Sequence, residues 1–539
     1  MLSKRMSDAP YRDFERPGKS EAFGENGMVA TSHPQATIAA LDILRAGGNA
    51  IDAAVCAAAV QAVVEPTQTG IGGDCFALIQ RETETAPTAL NGSGWSPAKA
   101  DAAHHRARKE TAIDPRSPHA VTVPGSIAAW EKLLADHGTM DFARVLAPAI
   151  KFAEEGCCVP ERLARDWERQ TDKLKANPAA NAIFLKHGKP PRPGDVHKQP
   201  LLAAALRAVA KRGSDVFYKG ELAEHMVSTL QAVGGLHEVE DFAEFVPEYV
   251  TPISANYRGY DLWECPPSGQ GLAVLSMARV LEGFPLGDWN PMGAERLHVQ
   301  AEAARMAYAE RDLFMADPRT GAVPVKSLLS DAHIGKLRGA ISLKQRIADI
   351  KPFVQVPHRD TVFVSVVDRD RTMVSLINSI FDDFGCGIAC PNTGVIFHNR
   401  ACSFSLEEGH PNALAGHKRP MHTIIPAILA KDRKAVMSFG VTGAHFQPMG
   451  QVQILTNVVD YGMPIQAAID FPRMFALGDT FELERVIPDE VGAKLQAMGH
   501  SITRPVNPLG TAQAIFIDRE RGILRGGADG RRDGLALAY

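Results

Sequence analysis

Two hydrophobic patterns follow one another along the chain. Up to about residue 350, apolar positions mostly recur every three or four residues, a spacing typical of amphipathic helices. Helices are predicted at residues 34–45, 51–64, 142–155, 201–211, 221–233, 272–281 and 295–316. Short apolar runs at 75–80, within 88–100 and at 121–123 indicate strands among these helices.

After residue 360 the apolar runs become shorter and richer in β-branched residues, which favours strands. Strands are predicted at residues 362–367, 373–377, 395–397, 424–429, 436–439 and 514–517, with helices at 452–461 and 464–469. Since both halves mix helices with strands, the pattern predicts an α+β fold in which sheets pack between layers of helices.

Composition and charge narrow the class of protein. The 539 residues are 45% apolar and 22% charged, an ordinary globular composition. The net charge of −4 argues against a nucleic-acid partner. The most apolar run, residues 51–64, is too short to cross a membrane, so no membrane contact is expected.

The cysteines and the first residues of the chain suggest a location. Eight cysteines are scattered without the spacing of metal ligands, and we expect them to be reduced thiols. Residues 1–24 are polar and lack the apolar segment of a signal peptide. A cytoplasmic protein is therefore predicted. The glycine-rich segment 70–73 lacks the Gly-Lys-Ser/Thr ending of a phosphate loop, and we predict neither a cofactor nor a metal.

Thr361 stands at a junction between two kinds of segment. The preceding residues 349–360 carry two prolines and mixed charge, as exposed connectors do, and a strand pattern follows. If the chain were cut before Thr361, this residue would hold a hydroxyl and a free α-amine with a pKa of about 7.7–8.0. The amine could then take the hydroxyl proton and activate the nucleophile. Many threonines start strands for their β-propensity alone, so the assignment depends on its context.

That context resembles the γ-glutamyltranspeptidase family of N-terminal-nucleophile hydrolases, from about residue 24 to about residue 530. The matching blocks are GMVATSHP (27–34), GGNAIDAA (47–54), VEP (64–66), GIGGD (70–74), SVVD (365–368), GCG (385–387), KRP (418–420) and GVTGA (440–444). The resemblance implies a four-layer αββα sandwich with one catalytic core built from both halves.

The resemblance also implies a self-cleaving enzyme with Thr361 as its nucleophile. Its hydroxyl would attack the carbonyl of Asp360, and an N-to-O acyl shift followed by hydrolysis would cut the chain. The products would be a large subunit, residues 24–360 behind an N-terminal arm of residues 1–23, and a small subunit, residues 361–539. We expect a heterodimer of these products, and two such heterodimers could pair.

Three further residues match the family's catalytic positions. Ser379 takes the place of a hydroxyl residue, usually Thr, that hydrogen-bonds the nucleophile. Gly443 and Ala444 take the place of two glycines whose backbone N–H groups form the oxyanion hole, and alanine keeps that donor. Each has a plainer interpretation: Ser379 as a turn residue, and residues 443–444 as an ordinary strand-to-helix turn.

The substrate positions depart from the transpeptidase pattern. That pattern uses an arginine and two serines for the glutamyl α-carboxylate, and an asparagine, an amide or carboxylate, and an aspartate for the α-ammonium. The residues found here are Ser93, His422 and Thr423 for the carboxylate, and Phe381, Arg400 and Ser403 for the ammonium. A glutamyl head group should therefore bind poorly, because its charges lose their partners.

A small acidic amide fits these replacements best. Arg400 and His422 offer positive charge while Phe381 fills space, which predicts an oxamate-like substrate and an amidohydrolase. Arg400 could instead be a surface charge, and His422 a satisfied core imidazole. Three alternatives remain open: a γ-glutamyltransferase or glutathione hydrolase, an enzyme like the cephalosporin acylases, and a non-catalytic family member.

Other polar residues have weaker claims to a role. His358 and Asp360 flank the expected cut, where they could aid processing but are more simply explained as solvated loop residues. Glu65, Asp74 and the acidic pair 407–408 are interpreted as structural or exposed and are assigned no acid/base task, because an N-terminal amine already serves as the base.

Overall fold

A computed structural model describes residues 2–7, 12–15, 18–350 and 361–539. Its strands are β1 Ala22–Gly24, β2 Met28–Thr31, β3 Asp74–Gln80, β4 Thr88–Gly92, β5 Cys157–Cys158, β6 Val196–His197, β7 Glu248–Val250, β8 Ile253–Tyr257, β9 Tyr260–Glu264, β10 Val362–Val367, β11 Met373–Ser379, β12 Ala427–Lys431, β13 Lys434–Val441, β14 Met474–Leu477, β15 Thr480–Leu483, β16 Ser501–Thr503, β17 Ala512–Asp518, β18 Ile523–Ala528 and β19 Leu535–Ala538.

The helices of the same ranges are α1 Leu2–Ser7, α2 Pro34–Arg45, α3 Ala50–Val64, α4 Ala102–Ala107, α5 Ser126–His137, α6 Phe142–Glu155, α7 Glu161–Arg169, α8 Thr171–Lys175, α9 Pro178–Phe184, α10 Pro200–Arg212, α11 Asp215–Tyr218, α12 Glu221–Ala232, α13 Val239–Ala243, α14 Gly271–Leu281, α15 Ala294–Phe314, α16 Val325–Leu328, α17 Asp331–Ala340, α18 Gln447–Val459, α19 Ile465–Asp470 and α20 Asp489–Ala497. Short 3₁₀ turns occupy Pro118–Ala120, Leu286–Asp288, Arg400–Ser403 and Ala444–Phe446.

Two large antiparallel sheets pack face to face at the centre of the described chain. One has seven strands in the order β1-β18-β17-β13-β12-β9-β8, and the other has seven in the order β19-β2-β10-β11-β3-β4-β7. Apolar side chains that include Phe76, Phe363, Ile428 and Ile515 fill the space between the sheets. The sheets thus form the two inner layers of a sandwich.

Helices cover the outer face of each sheet. Helices α2, α3 and α5 pack on the sheet that contains β10, over a core that includes Val55, Trp130 and Val364. Helices α14, α18 and α19 pack on the other sheet. The predicted α+β fold with four layers is confirmed. Because β10 is covered on both faces, all six of its residues are buried, and its sequence is a continuous apolar run with little alternation.

The two halves of the chain interleave within one sheet. Strands β10 and β11, from the second half, lie between β2 and β3, from the first half. Val366 pairs with Val29 across the β10–β2 boundary, and Leu376 pairs with Ala77 across the β11–β3 boundary. Both predicted subunits therefore contribute strands to the same core.

Most of the predicted elements are present, and two predicted strands are wrong. Residues 121–123 form no strand: Val123 N donates to Trp95 O, and the segment runs on into α5. Residues 395–397 make only an isolated bridge, between Ile396 and Ala389. Both runs are β-branched and buried, but they serve as extended connections between elements and not as members of a sheet.

Within the described ranges, every helix is too short or too polar to span a bilayer.

The close packing of the two sheets can be tested by a substitution at their contact. A Cβ atom placed on Gly440 of β13 would lie 2.4 Å from ring carbons of Phe363 on β10. We expect Gly440→Ala to push the sheets apart and to destabilise the protein by about 1–3 kcal/mol, the usual cost of overpacking. The midpoint of thermal or urea unfolding measures this.

Gly335→Ala is the matched control. Gly335 lies in helix α17 with open space around its Cα, so the same substitution should leave the midpoint unchanged or raise it slightly. Equal midpoints for the two variants would contradict the packing described between β10 and β13.

Candidate active site

Thr361 and Ser379 meet at one end of the interleaved sheet. Val362 of β10 pairs with Asn378 of β11, and one residue beyond this pair Thr361 Oγ1 lies 3.1 Å from Ser379 Oγ. Both residues are buried. Ser379 in turn pairs with Asp74, the first residue of β3. The register of three adjacent strands therefore places a threonine, a serine and an aspartate side by side.

The carboxylate of Asp74 accepts hydrogen bonds from four groups around it. Its Oδ1 accepts from the backbone N–H of Gly94 at 3.1 Å. Its Oδ2 accepts from Arg400 Nε at 3.2 Å, and from His398 Nδ1 and His422 Nε2 at 3.1 Å each. A carboxylate only accepts hydrogen bonds when ionised, so both ring nitrogens must carry the hydrogen. Asp74 is fully buried and is the centre of the site's charge.

The charge states follow from these contacts. Burial by itself raises the pKa of Asp74, but the contacts with His398 and His422 outweigh it and hold that pKa well below its usual value. Burial lowers the pKa of His422 to about 3, and the nearby charge of Arg400 acts in the same direction. Burial also lowers the pKa of Arg400, to about 10, against the opposing charge of Asp74. Near neutral pH the site thus holds an aspartate–arginine ion pair and a neutral His422.

Arg400 connects Asp74 to the pair formed by Thr361 and Ser379. Besides its bond to Asp74, its Nη1 donates to Thr423 Oγ1 at 2.8 Å and its Nη2 donates to Ser379 Oγ at 3.3 Å. One face of the guanidinium lies 4.1 Å from the ring centroid of Phe381. Of the predicted substrate residues, Phe381, Arg400, His422 and Thr423 are therefore brought together beside Thr361.

One sequence interpretation needs correction. The prediction that His422 offers positive charge is wrong, because its buried ring is neutral and donates to Asp74. Asp74, for which the sequence suggested a structural or exposed position and no acid/base task, is buried and binds Arg400 directly. The assignment of Arg400 and His422 to substrate binding stays a prediction.

The predicted oxyanion turn follows β13. Gly443 has a φ of +107°, which strongly favours glycine, and Ala444 has a φ of +48°. Gln270 links this turn to the segment of Thr423. Its Nε2 donates to Ala444 O at 2.9 Å and to Thr423 O at 2.7 Å. Its Oε1 accepts from Arg311 Nη1 at 2.6 Å. The backbone donors of residues 443 and 444 remain candidates for the oxyanion hole.

Ser93 and Ser403 each lie close in sequence to a residue of the site. Ser93 is buried beside Gly94, the donor to Asp74, and its own carbonyl accepts from Arg419 Nε at 2.9 Å. Ser403 ends the 3₁₀ turn that begins at Arg400. Its Oγ is buried and has no hydrogen-bond partner among the described residues. Neither serine carries a charge that could hold a glutamyl head group.

Sequence reasoning missed Asp74, His398 and Gln270 as parts of the site. Asp74 did leave a signal, because a charged residue that opens an apolar strand must find partners once it is buried. His398 and Gln270 left none, since a single histidine or glutamine between apolar runs has no informative spacing. His358 and Asp360, which flank the expected cut, lie outside the described residues.

One cluster away from the site has the composition of a metal centre. His298, Glu302 and His500 are buried and their ligand atoms lie within 4.8 Å of one another. However, His298 Nδ1 and His500 Nε2 are 2.7 Å apart and share a hydrogen, whereas an ion at about 2.0–2.1 Å from each nitrogen needs them farther apart. Glu302 is paired with Arg305 at 2.8 Å. The cluster is a satisfied hydrogen-bond network.

Comparison with known proteins gives consistent matches over nearly the full length. The sequence profile described as gamma-glutamyltranspeptidase matches residues 36–539. The chain is 35% identical to the glutathione hydrolase-like YwrD proenzyme of Bacillus subtilis, covering 96% of this chain and 99% of that protein. It is 33% identical to the oxamate amidohydrolase proenzyme of Klebsiella pneumoniae, covering 96% and 100%.

Among solved structures, the cephalosporin acylase from Bacillus halodurans superposes with a TM-score of 0.92. That match has 37% sequence identity and covers 98% of this chain and 99% of that one.

The conformation of Gly443 generates a test of the oxyanion turn. A Cβ atom at residue 443 would lie 3.1 Å from the Cα of Gly510, in a backbone conformation that alanine avoids. We expect Gly443→Ala to displace the turn and to lower kcat on the best amide substrate by about 10–100-fold, somewhat less than loss of a complete oxyanion donor.

Gly478→Ala provides the control. Gly478 also has a positive φ, +57°, but it lies between β14 and β15 with open space around it. The kcat of the Gly478→Ala variant should equal that of the unchanged protein. If Gly443→Ala is as active as Gly478→Ala, residues 443–444 do not form the oxyanion hole.

Proposed function

The chain belongs to the γ-glutamyltranspeptidase family, and on that premise we propose a self-processing amidohydrolase that forms an acyl-enzyme on Thr361. The observation that carries the proposal is the buried pair of Thr361 Oγ1 and Ser379 Oγ, 3.1 Å apart. At the positions expected to hold a glutamyl α-ammonium group, the chain carries Phe381, Arg400 and Ser403. The relatives above are named proenzymes, which supports cleavage into the two subunits.

The proposed reaction needs only the groups of this site. After cleavage, Thr361 Oγ1 attacks the amide carbonyl while its proton moves to the free α-amine. Backbone N–H groups of residues 443 and 444 stabilise the oxyanion. The C–N bond then breaks as the amine proton passes to the leaving nitrogen. Water attacks the resulting ester, releases the carboxylic acid and restores the Thr361 hydroxyl.

The substrate that we propose carries no α-ammonium group. Phe381 and Ser403 stand where carboxylate or amide acceptors would hold it, and the charge of Arg400 would repel it. Among the described residues, Asp74, Thr423 and Ser379 use three of the five N–H bonds of Arg400, which leaves two for an anionic group. A small acidic amide such as oxamate, with its carboxylate next to the scissile bond, fits this arrangement.

A larger acyl group is the second candidate. Phe381 packs in an apolar cluster with Ile113, Ala120, Phe404 and Leu414. Such a wall could receive an aliphatic acyl chain, and the likeness to a cephalosporin acylase points in the same direction. Both candidates share the acyl-enzyme on Thr361 and differ only in the size of the acyl group.

Self-cleavage provides the first test. Purified protein should give two bands on a denaturing gel, at about 39 and 19 kDa as expected for about 360 and 179 residues. Thr361→Ala should stay a single chain, because the N-to-O shift requires the hydroxyl. An unchanged protein that remains whole after long incubation would count against the whole proposal.

A matched set of p-nitroanilides provides the second test. The γ-glutamyl, glutaryl and 4-aminobutanoyl compounds share a chain length and differ in their α-ammonium and carboxylate groups. We expect kcat/KM for the glutaryl compound to exceed that for the γ-glutamyl compound by about 10–100-fold, because an unpaired ammonium is costly to bury. The 4-aminobutanoyl compound should be the poorest substrate.

Oxamate, followed by ammonia release, separates the two candidates. Faster turnover of oxamate than of the glutaryl compound favours the small acidic amide, and the reverse order favours the acylase. If the γ-glutamyl compound is the best of the set, the chain is a glutathione hydrolase and the substrate proposal is wrong.

A further inference from the structure

We propose that Gln270 is a positioning residue for the predicted oxyanion turn: its side-chain amide holds Ala444 in a backbone conformation that alanine otherwise avoids. This role rests on the proposed function, in which the backbone N–H groups of residues 443 and 444 stabilise the oxyanion. It goes further by naming the side chain that keeps one of these two donors in place.

The side chain of Gln270 is buried, and its contacts determine which way the amide faces. Arg311 Nη1 lies 2.6 Å from one end of the amide, and a guanidinium can only donate, so that end is the carbonyl oxygen. The two hydrogens of Nε2 are donated to two backbone carbonyls, those of Ala444 at 2.9 Å and Thr423 at 2.7 Å. The backbone of Gln270 is fixed as well, because its N–H donates to His422 O at 3.0 Å.

Ala444 needs such support because of its backbone angles. Its φ of +48° lies in the left-handed region, where the Cβ of an L-residue comes too close to the following carbonyl oxygen. Glycine, which the family pattern places at this position, has no Cβ and adopts the region freely. The bond from Gln270 falls on the carbonyl of Ala444 itself, so it acts directly on the strained residue. Without this bond, Ala444 should relax toward an ordinary conformation.

The direction of the N–H group of Ala444 follows from the peptide planes of the turn. In a trans peptide the N–H points away from the carbonyl of the preceding residue. Gly443 O accepts from Phe446 N at 2.9 Å, so the N–H of Ala444 points to the opposite side of the turn. The φ angle of Ala444 determines where Phe446 lies relative to Gly443 O. Relaxation of Ala444 would therefore break this bond and free the N–H of Ala444 to rotate.

The next residue of the turn, His445, is held by other groups. Tyr308 Oη donates to His445 O at 2.6 Å, and Arg311 Nη1 lies 3.0 Å from His445 Nδ1. Neither contact involves an atom of Gln270. The effect of replacing Gln270 should therefore begin at Ala444 and not with loss of the whole turn.

The second hydrogen of the amide offers another route by which Gln270 could act. Thr423 O accepts this hydrogen, and Thr423 Oγ1 accepts from Arg400, the predicted partner of a substrate carboxylate. If Gln270 acted only through Thr423, its loss would weaken substrate binding and raise KM. If Gln270 acts through Ala444, its loss removes stabilisation of the transition state and lowers kcat.

The experiment measures kcat and KM of Gln270→Met and Gln270→Glu with oxamate and with glutaryl p-nitroanilide. Methionine keeps the length of the side chain. Glutamate keeps its shape and can still accept from Arg311, so it also serves if the methionine variant does not fold. We expect both variants to lower kcat by about 10–100-fold, as for a displaced oxyanion donor, while KM changes by less than about threefold. An unchanged kcat, with or without a raised KM, would overturn the proposal.

The double variant with Ala444→Gly tests the conformational route directly. Glycine adopts the left-handed conformation without help, so Gln270→Met should cost less when residue 444 is glycine. We expect the loss of kcat caused by Gln270→Met to fall to about threefold or less in that background, measured against Ala444→Gly alone. Equal losses in the alanine and glycine backgrounds would show that Gln270 does not act through the conformation of residue 444.

Gln199→Met is the matched control. Gln199 is also buried, and its Nε2 also donates to a backbone carbonyl, that of Val63 at 2.7 Å. It lies directly before helix α10, in the helical layer of the other sheet. Its replacement removes the same kind of bond and should leave kcat unchanged. A loss of kcat equal to that of Gln270→Met would mean that the rate responds to any buried glutamine, which would overturn the proposal.

Hydrogen exchange followed by mass spectrometry gives a readout that does not depend on activity. Peptides covering residues 441–449 should exchange faster in both Gln270 variants than in the unchanged protein, and Gln199→Met should leave them unchanged. Equal exchange in all four proteins would overturn the proposal. If the unchanged protein neither cleaves itself nor hydrolyses either compound, the proposed function is wrong. The exchange result would still decide whether Gln270 holds the turn, so the two failures are distinguishable.

Discussion

A buried carboxylate needs hydrogen-bond donors and an opposite charge around it. The arrangement of the whole site follows from this need at Asp74. Removing a charge from water costs several kcal/mol unless hydrogen bonds and an opposite charge replace the lost hydration. Four donors do so here, from Gly94, His398, Arg400 and His422. They come from segments that are far apart in sequence. The requirement of one carboxylate thus fixes where these segments must pass.

The need to pair Asp74 also explains why the guanidinium of Arg400, unlike that of a surface arginine, is held in one orientation. Arg400 donates hydrogen bonds to Asp74, Thr423 and Ser379. Its guanidinium also lies over the ring of Phe381. The ion pair is close to neutral as a whole but strongly directional. Its cationic end faces Ser379, and its anionic end faces His398 and His422. Such an arrangement is an oriented dipole, which acts at short range and is weakly felt farther away.

How much the sequence could predict depended on whether a signal was local. Helical and strand periodicity identified the sandwich layers, and the junction at Thr361 was visible as a change from connector to strand. The partners of Asp74 were not visible, because residues 398 and 422 lie more than 300 positions after residue 74, outside the sheet strands, and approach it only in the folded chain. Residues 121–123 and 395–397 were misassigned since buried extended segments share their composition with strands. The turn predicted to form the oxyanion hole was matched by Gly443, and its φ of +107° explains why glycine stands there.

The insertion of β10 and β11 between β2 and β3 also bears on how the chain is made. A ribosome releases residues 28–80 long before residues 362–379, so the neighbours on either side of the gap exist first and must wait. Until the later strands arrive, β2 and β3 present unpaired edges, the kind of surface that recruits other chains. The central sheet can close only late in synthesis, and its closure joins strands of very large sequence separation, which is intrinsically slow. Translation thus exposes the nascent chain to aggregation during the interval before Thr361 itself emerges.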